Sequence, residues 1–232
     1  MRIWDISPGY LNRQSLLGEH RELHGIAVIL AEGKKGYSRH PETLRWAGHG
    51  QALAVRHRQL ACEMRLRGYR EQSPLPALAG ADSWPRSYLD EPAAQFALLR
   101  SKYADREPGR IPLPRTAQQL WSQHKYSVLA RDVLLYKEIG QSTASGRADF
   151  AQLAKLLAEL LRQPPSAGGL RNAAQHIWGH VAGLAPAPTD NPSDWPCLRL
   201  LEETQRRAML HKEPYLLAST ALAELAVWLD AP

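Results

Sequence analysis

The 232 residues suffice for one large domain or two small ones. No run of about 18 apolar residues occurs, which excludes a membrane-spanning helix, and two distant cysteines, Cys62 and Cys197, argue against a disulfide framework, a cysteine-rich zinc site or an iron–sulfur cluster. The net charge of +6 is uneven: residues 1–113 carry 17 Lys and Arg against 12 Asp and Glu, a net of +5, and residues 114–232 carry 12 against 11. Arginines outnumber lysines by 14 to 3 in the first part, and Arg suits bidentate phosphate contacts better than Lys. An Arg-rich basic module suggests a polyanionic partner such as nucleic acid, although a solvated basic face has the same composition.

The opening "MRIWDISPGY" lacks the apolar core of a signal peptide, so the expected location is cytoplasmic, beside the nucleoid if DNA is the partner, with no membrane association. Three helical patterns follow. In the first, Ser7 is a candidate N-cap with Pro8 at the first helical position, and the pattern runs to about Ala31. The second spans about Pro41 to Gly68, with Gly68 as its stop signal, and the third about Glu91 to Tyr103. "EQSPLPALAGADSWPRSYLDEP" between the last two reads as irregular chain, and "REPGRIPLPRT", Arg106 to Thr116, reads as a linker. Beyond it, helical patterns cover roughly 115–140, 149–162, 170–183, 195–210 and 214–229, with "QPPSAGG" and "GLAPAPTDNPSDWP" as separators. No stretch alternates as a strand. The expected fold is all-α: a three-helix domain over 1–113, then a domain of about five helices over 114–232.

In "RQSLLGEHRELHG", Arg13 to Gly25, two glutamates, two histidines and two arginines crowd one helix. At about 100° per residue, Leu16, Leu23, Ala27 and Leu30 form a core stripe, and Glu19 and His20 fall in or beside it. Those two read as structural groups that need partners. Arg21 and Glu22 lie on the other side with Gln14, Ser15, Gly18 and Gly25. Each glycine costs the helix about 1 kcal/mol relative to alanine, and both leave room for a large ligand to approach the backbone. "EHRELH" has the wrong order for a zincin motif. His20 and His24, spaced i, i+4, could share a metal, but no third ligand stands nearby and no metal site is expected. Asn172, His176 and His180 in "NAAQHIWGH" read as helix-packing groups. In the second helical pattern, Leu53, Leu60 and Met64 supply an apolar face, and Arg56, Arg58, Arg65, Arg67 and Arg70 of "RHRQLACEMRLRGYR" the charge, open to a solvated or a phosphate-contacting reading.

Three stretches, "MRI", "RQSLLGEHRELHG" and "WAGHGQALAVRHRQLACEMRLRGY", resemble the pyrimidine-dimer DNA glycosylases of the phage endonuclease V type. That family has an "RI" after its nucleophilic N-terminal residue, a first-helix motif close to "QHLMAEYREL", and a helix opening after "GAGH". The counterparts here are Arg2-Ile3, "RQSLLGEHREL" and Ala47-Gly48-His49, and "FALLRSKYADREPGR" is similar to the family's basic third helix. The resemblance covers about residues 1–110. The second half, through "WSQHKYSVLARDVLLYKEIG" and "LRNAAQHIWGH", resembles a helical domain of unknown function also attached to thiouracil-desulfidase-like proteins.

The resemblance implies a bifunctional DNA glycosylase and AP lyase acting on damaged double-stranded DNA, with no cofactor. Its nucleophile is an α-amine, which has a reference pKa of about 7.7–8.0 and so a useful neutral fraction near pH 7. Here the spacing to Arg2-Ile3 puts Met1 in that position, and Arg2 is too large for the usual Met-removing aminopeptidase, so Met1 is expected to be retained. Glu22 matches the catalytic glutamate. Arg2, Gln14, Arg21, His49 and Arg100 match family positions at the DNA or around the lesion. The family's second arginine after "REL" is Gly25 here, and its aromatic-rich C-terminal tail is missing. Both departures touch DNA and lesion contacts and leave the preferred lesion open. Gly25 and the added domain motivate a different damaged or modified base, and a non-catalytic nucleic-acid-binding adaptor is a third reading, against which Glu22 and the N-terminus speak. The second domain could widen the footprint or recruit a protein partner.

Overall fold

The computed structural model describes residues 1–81, 83–186 and 190–229, so residues 187–189 of the second separator and the chain's last three residues lie outside the described residues. The chain is all-α, with no strand among the described residues and one isolated antiparallel bridge between His49 and Gly80. It divides into two compact units, Met1–Gly109 and Arg110–Pro232. No helix among the described residues is long and apolar enough to cross a membrane.

The first unit begins with extended chain and a 3-10 turn, Pro8–Tyr10, before helix α1 (Arg13–Glu32). Ser7 is a cap, but of that turn: its side chain accepts from the Gly9 amide. The first helix therefore starts later than expected. Asn12 is its N-cap, accepting from the Ser15 amide at 2.9 Å, and Gly33 at φ +64° closes it. Leu16, Leu23, Ile26 and Ala27 are buried along its core face.

The expected second helix is two helices, α2 (Pro41–Trp46) and α3 (Gly50–Leu66). The chain breaks at Gly48, whose φ of +81° is a conformation that side-chain-bearing residues rarely adopt. Helix α4 (Pro92–Lys102) completes the unit, with Phe96 edge-on to Tyr10 at 4.9 Å.

The second unit contains seven helices among its described residues where the sequence suggested about five: α5 (Ala117–Leu129), α6 (Val133–Ala144), α7 (Phe150–Leu160), α8 (Ala167–Trp178), α9 (Cys197–Leu210), α10 (Pro214–Leu217) and α11 (Ala221–Glu224). The pattern over 115–140 splits because Asp132 accepts from the Leu134 and Leu135 amides and starts a new helix. Helix α5 packs against α6, α7 and α8. The approach of α8 is so close that a Cβ on Gly169 would collide with the Ala130 carbonyl. His180 meets the Tyr126 hydroxyl at 2.7 Å and stacks on Tyr215, and the exposed His176 stacks on Tyr126.

Candidate active site

The first six residues lie outside any helix or strand, so their amides and carbonyls find no helical partners and must bond to side chains. Helix α1 supplies two carboxylates. The Trp4 amide donates to Glu19 Oε1 at 3.2 Å, and the Arg2 amide donates to Glu22 Oε2. Extended chain turns every second residue the same way and Glu19 and Glu22 are one helical turn apart, so the two periods coincide.

Buried arginines hold the other side. Arg45 donates to the Ile3 carbonyl at 3.1 Å, to Asp5 at 3.0 and 3.2 Å and to Glu42 at 2.6 Å. Arg56 donates to the Ile6 carbonyl at 3.0 Å and to both Glu19 oxygens at 2.7 and 3.1 Å. The Asp5 amide donates to Gln95 on α4 at 2.8 Å. Glu19 is thus a structural anchor. Burial pushes its carboxyl up to about 7, against the downward pull of Arg56 and the Trp4 amide.

This framework delivers the chain's first residue to Glu22. Met1 and Glu22 are both half-buried. Three bonds separate the α-amine from the Arg2 amide nitrogen, so the amine lies about 3 Å from the atom that donates to the Glu22 carboxylate. His40 Nε2 stands 3.4 Å from the amine. Its other ring nitrogen, Nδ1, accepts the Glu42 amide at 3.1 Å as the cap of α2. A neutral His40 therefore carries its proton on Nε2, the nitrogen that faces the amine. Arg2 pairs with Asp90, and its guanidinium lies 4.4 Å over the Trp4 ring.

Of the sequence candidates, the structure brings Met1, Arg2 and Glu22 together. His40 and Asp90, which the sequence did not single out, lie beside them. No motif marks either, and both reach the site from irregular chain or a helix cap. The other candidates bond elsewhere. Arg21 is exposed and donates to Leu17 O of its own helix at 3.3 Å. Gln14 is exposed and accepts from Arg106 at 3.1 Å, about 12 Å along the α1 axis from Glu22. His49 Nδ1 meets Ser83 O at 2.6 Å, and with the bridge to Gly80 it ties the turn before α3 to the irregular segment. Arg100 is half-buried in the last turn of α4. A Cβ at Gly18 or Gly25 would meet nothing within 4 Å, so the side of α1 that carries Gln14 and Arg21 is open.

The sequence predicts no metal site at His20 and His24, since no third ligand stands nearby in it. The fold brings His57 of α3 and Glu71 of the chain after α3 beside them, a group of four that could hold a metal ion. Their ligand atoms all lie within 4.8 Å of one another. Burial holds the imidazoles of His20 and His24 below the ordinary histidine range, and burial with its two histidine neighbours takes His57 down to about 4.

The Arg2 amide thus ties the start of the chain to a glutamate on α1. Residues 1–76 match the family model described as pyrimidine dimer DNA glycosylase, and residues 125–188 match that of a protein family of unknown function. The first match supports a function of the pyrimidine dimer DNA glycosylase type, with DNA as the substrate. No curated protein and no solved structure matches the chain.

Proposed function

We propose that the protein is a DNA repair glycosylase with AP-lyase activity, which excises pyrimidine dimers through the α-amine of Met1. The hydrogen bond from the Arg2 amide to Glu22 carries this reading, because it holds a carboxylate beside the amine. The amine attacks the sugar C1′ of a flipped nucleotide, the C1′–N bond to the base breaks, and the electron pair leaves with the base. Glu22 stabilises the positive charge that grows on the sugar, takes the proton released as the amine bonds to C1′, and passes it to O4′ as the C1′–O4′ bond breaks and the ring opens to a protonated Schiff base. Loss of the C2′ proton then expels the 3′ phosphate oxygen and nicks the strand.

Arg2 turns the N-terminal chain through Trp4 and Asp90, and it reaches a phosphate by exchanging Asp90. Arg21 and Gln14 contact the backbone along the open side of α1. His49 and Arg100 complete the DNA face, His49 by fixing the turn that starts α3. Met1 and Glu22 are the residues on which catalysis rests.

A second reading keeps the chemistry and changes the base. Gly25 stands where the resembling family has an arginine, and its surroundings are open. Duplexes carrying a cyclobutane dimer, an abasic site or a panel of modified bases separate the two when incubated with the untagged chain. Nicking of dimer and abasic DNA supports the proposal. Nicking of abasic DNA alone supports the second reading, and binding without nicking of any substrate leaves a non-catalytic adaptor.

A further inference from the structure

We propose that His20, His24, His57 and Glu71 form a structural zinc site, an inference independent of the glycosylase reading. Three Nε2 atoms converge: His20 to His57 at 3.2 Å, His20 to His24 at 3.3 Å and His24 to His57 at 3.1 Å. Glu71 Oε1 lies 3.5 Å from His20 Nε2. None of the four residues is exposed.

Hydrogen bonding alone cannot account for this triangle. Each Nε2 carries either a proton or a lone pair. Among three atoms of two kinds, two must be alike, so at least one of the three contacts sets donor against donor or acceptor against acceptor. A cation removes the conflict, because all three nitrogens then present lone pairs to it.

The dimensions fit zinc. With Zn–N bonds of about 2.05 Å, tetrahedral ligand nitrogens are about 3.3 Å apart, and the metal would sit about 0.9 Å out of the plane of this triangle. Glu71 supplies the fourth donor, and the Ser73 amide, 2.6 Å from Oε1, orients its carboxylate. Three imidazoles favour zinc over magnesium or calcium, which prefer all-oxygen shells.

Four protein ligands close the site, as in structural rather than catalytic zinc centres. Its position agrees. Glu22 lies two residues from His20 and two from His24, so it projects about 160° around α1 from either histidine. The metal would bind the face of α1 opposite the carboxylate, clamping α1 to α3 and to the start of the irregular segment. It would stiffen the helix that presents Glu22 without touching the reacting atoms.

The test uses the untagged full-length chain, stripped with a chelator and reloaded with zinc or cobalt. The expected result is one zinc per chain after dialysis, a four-coordinate cobalt spectrum with intense visible bands, and a higher melting temperature on loading. His57→Ala and Glu71→Gln, checked for folding by circular dichroism, are expected to lose the cobalt bands and most of the zinc. His176→Ala, in the second unit, is expected to keep both. Glu71→Gln removes only a ligand from an irregular segment, so its result decides the matter if His57→Ala fails to fold. Zinc washing out of the wild type, a six-coordinate cobalt spectrum, or unchanged zinc content in a folded Glu71→Gln or His57→Ala chain would overturn the proposal.

Discussion

Replacing Glu22 with glutamine removes a charge and retains a hydrogen-bond acceptor for the Arg2 amide. The N-terminal chain should therefore stay in place, at a cost of about 1 kcal/mol as a charge-assisted bond becomes a neutral one. Catalysis should suffer far more. In the reacting complex we take the cationic carbon to approach the Glu22 carboxylate to about 4 Å. At an effective dielectric constant of about 20, attraction over about 4 Å amounts to about 4 kcal/mol, or roughly a thousandfold in rate. Single-turnover nicking of a dimer-containing duplex should slow by that factor for Glu22→Gln. Binding of the same duplex, read by fluorescence anisotropy, should stay within about threefold of wild type, since the change spares the phosphate-contacting groups. A nicking rate within tenfold of wild type would refute the electrostatic role. A matching loss in binding would show that Glu22 organises the DNA surface instead.

Three further predictions concern the framework. Arg56→Ala orphans the buried Glu19 carboxylate and should cost about 3–5 kcal/mol, with the amides of Trp4 and Asp5 losing hydrogen-exchange protection; Glu19→Gln added to it should restore part of that loss. Gly18→Ala and Gly25→Ala should each stabilise α1 by about 1 kcal/mol, because their Cβ atoms enter open space, yet weaken duplex binding if DNA lies along that side. In the second unit, burial lowers His124 to about 4. Its unfolded form titrates near 6.5, so its contribution is complete above that pH and is lost as pH falls toward 4, a total of about 3 kcal/mol. Thermal unfolding of His124→Gln should show a weaker acid dependence than wild type over that window.

What could be read in advance follows from the range of each signal. Helical periodicity is local, so the core stripe of α1 and the split between Glu19 and Glu22 were visible before any coordinates. Element boundaries depend on rarer backbone events. Ser7 and Asn12 are both good caps, and only the 3-10 turn between them shows which begins α1. Gly48 looked like part of a helix start, whereas its positive φ ends α2. Partnerships between distant segments had no local signature. His57 is 33 residues from His24, and Asp90 is 88 residues from Arg2. A search for metal ligands or ion pairs confined to neighbouring sequence passes over both, which is why no third ligand was found for His20 and His24.

The account depends most on the amine of Met1. Borohydride reduction of the untagged chain mixed with abasic or dimer-bearing duplex, followed by peptide mass spectrometry, tests it directly. The account predicts a covalent protein–DNA adduct localised to Met1, and its loss when the amine is blocked by an added N-terminal segment. No adduct with either substrate, or an adduct on a lysine that persists in the blocked chain, would contradict it.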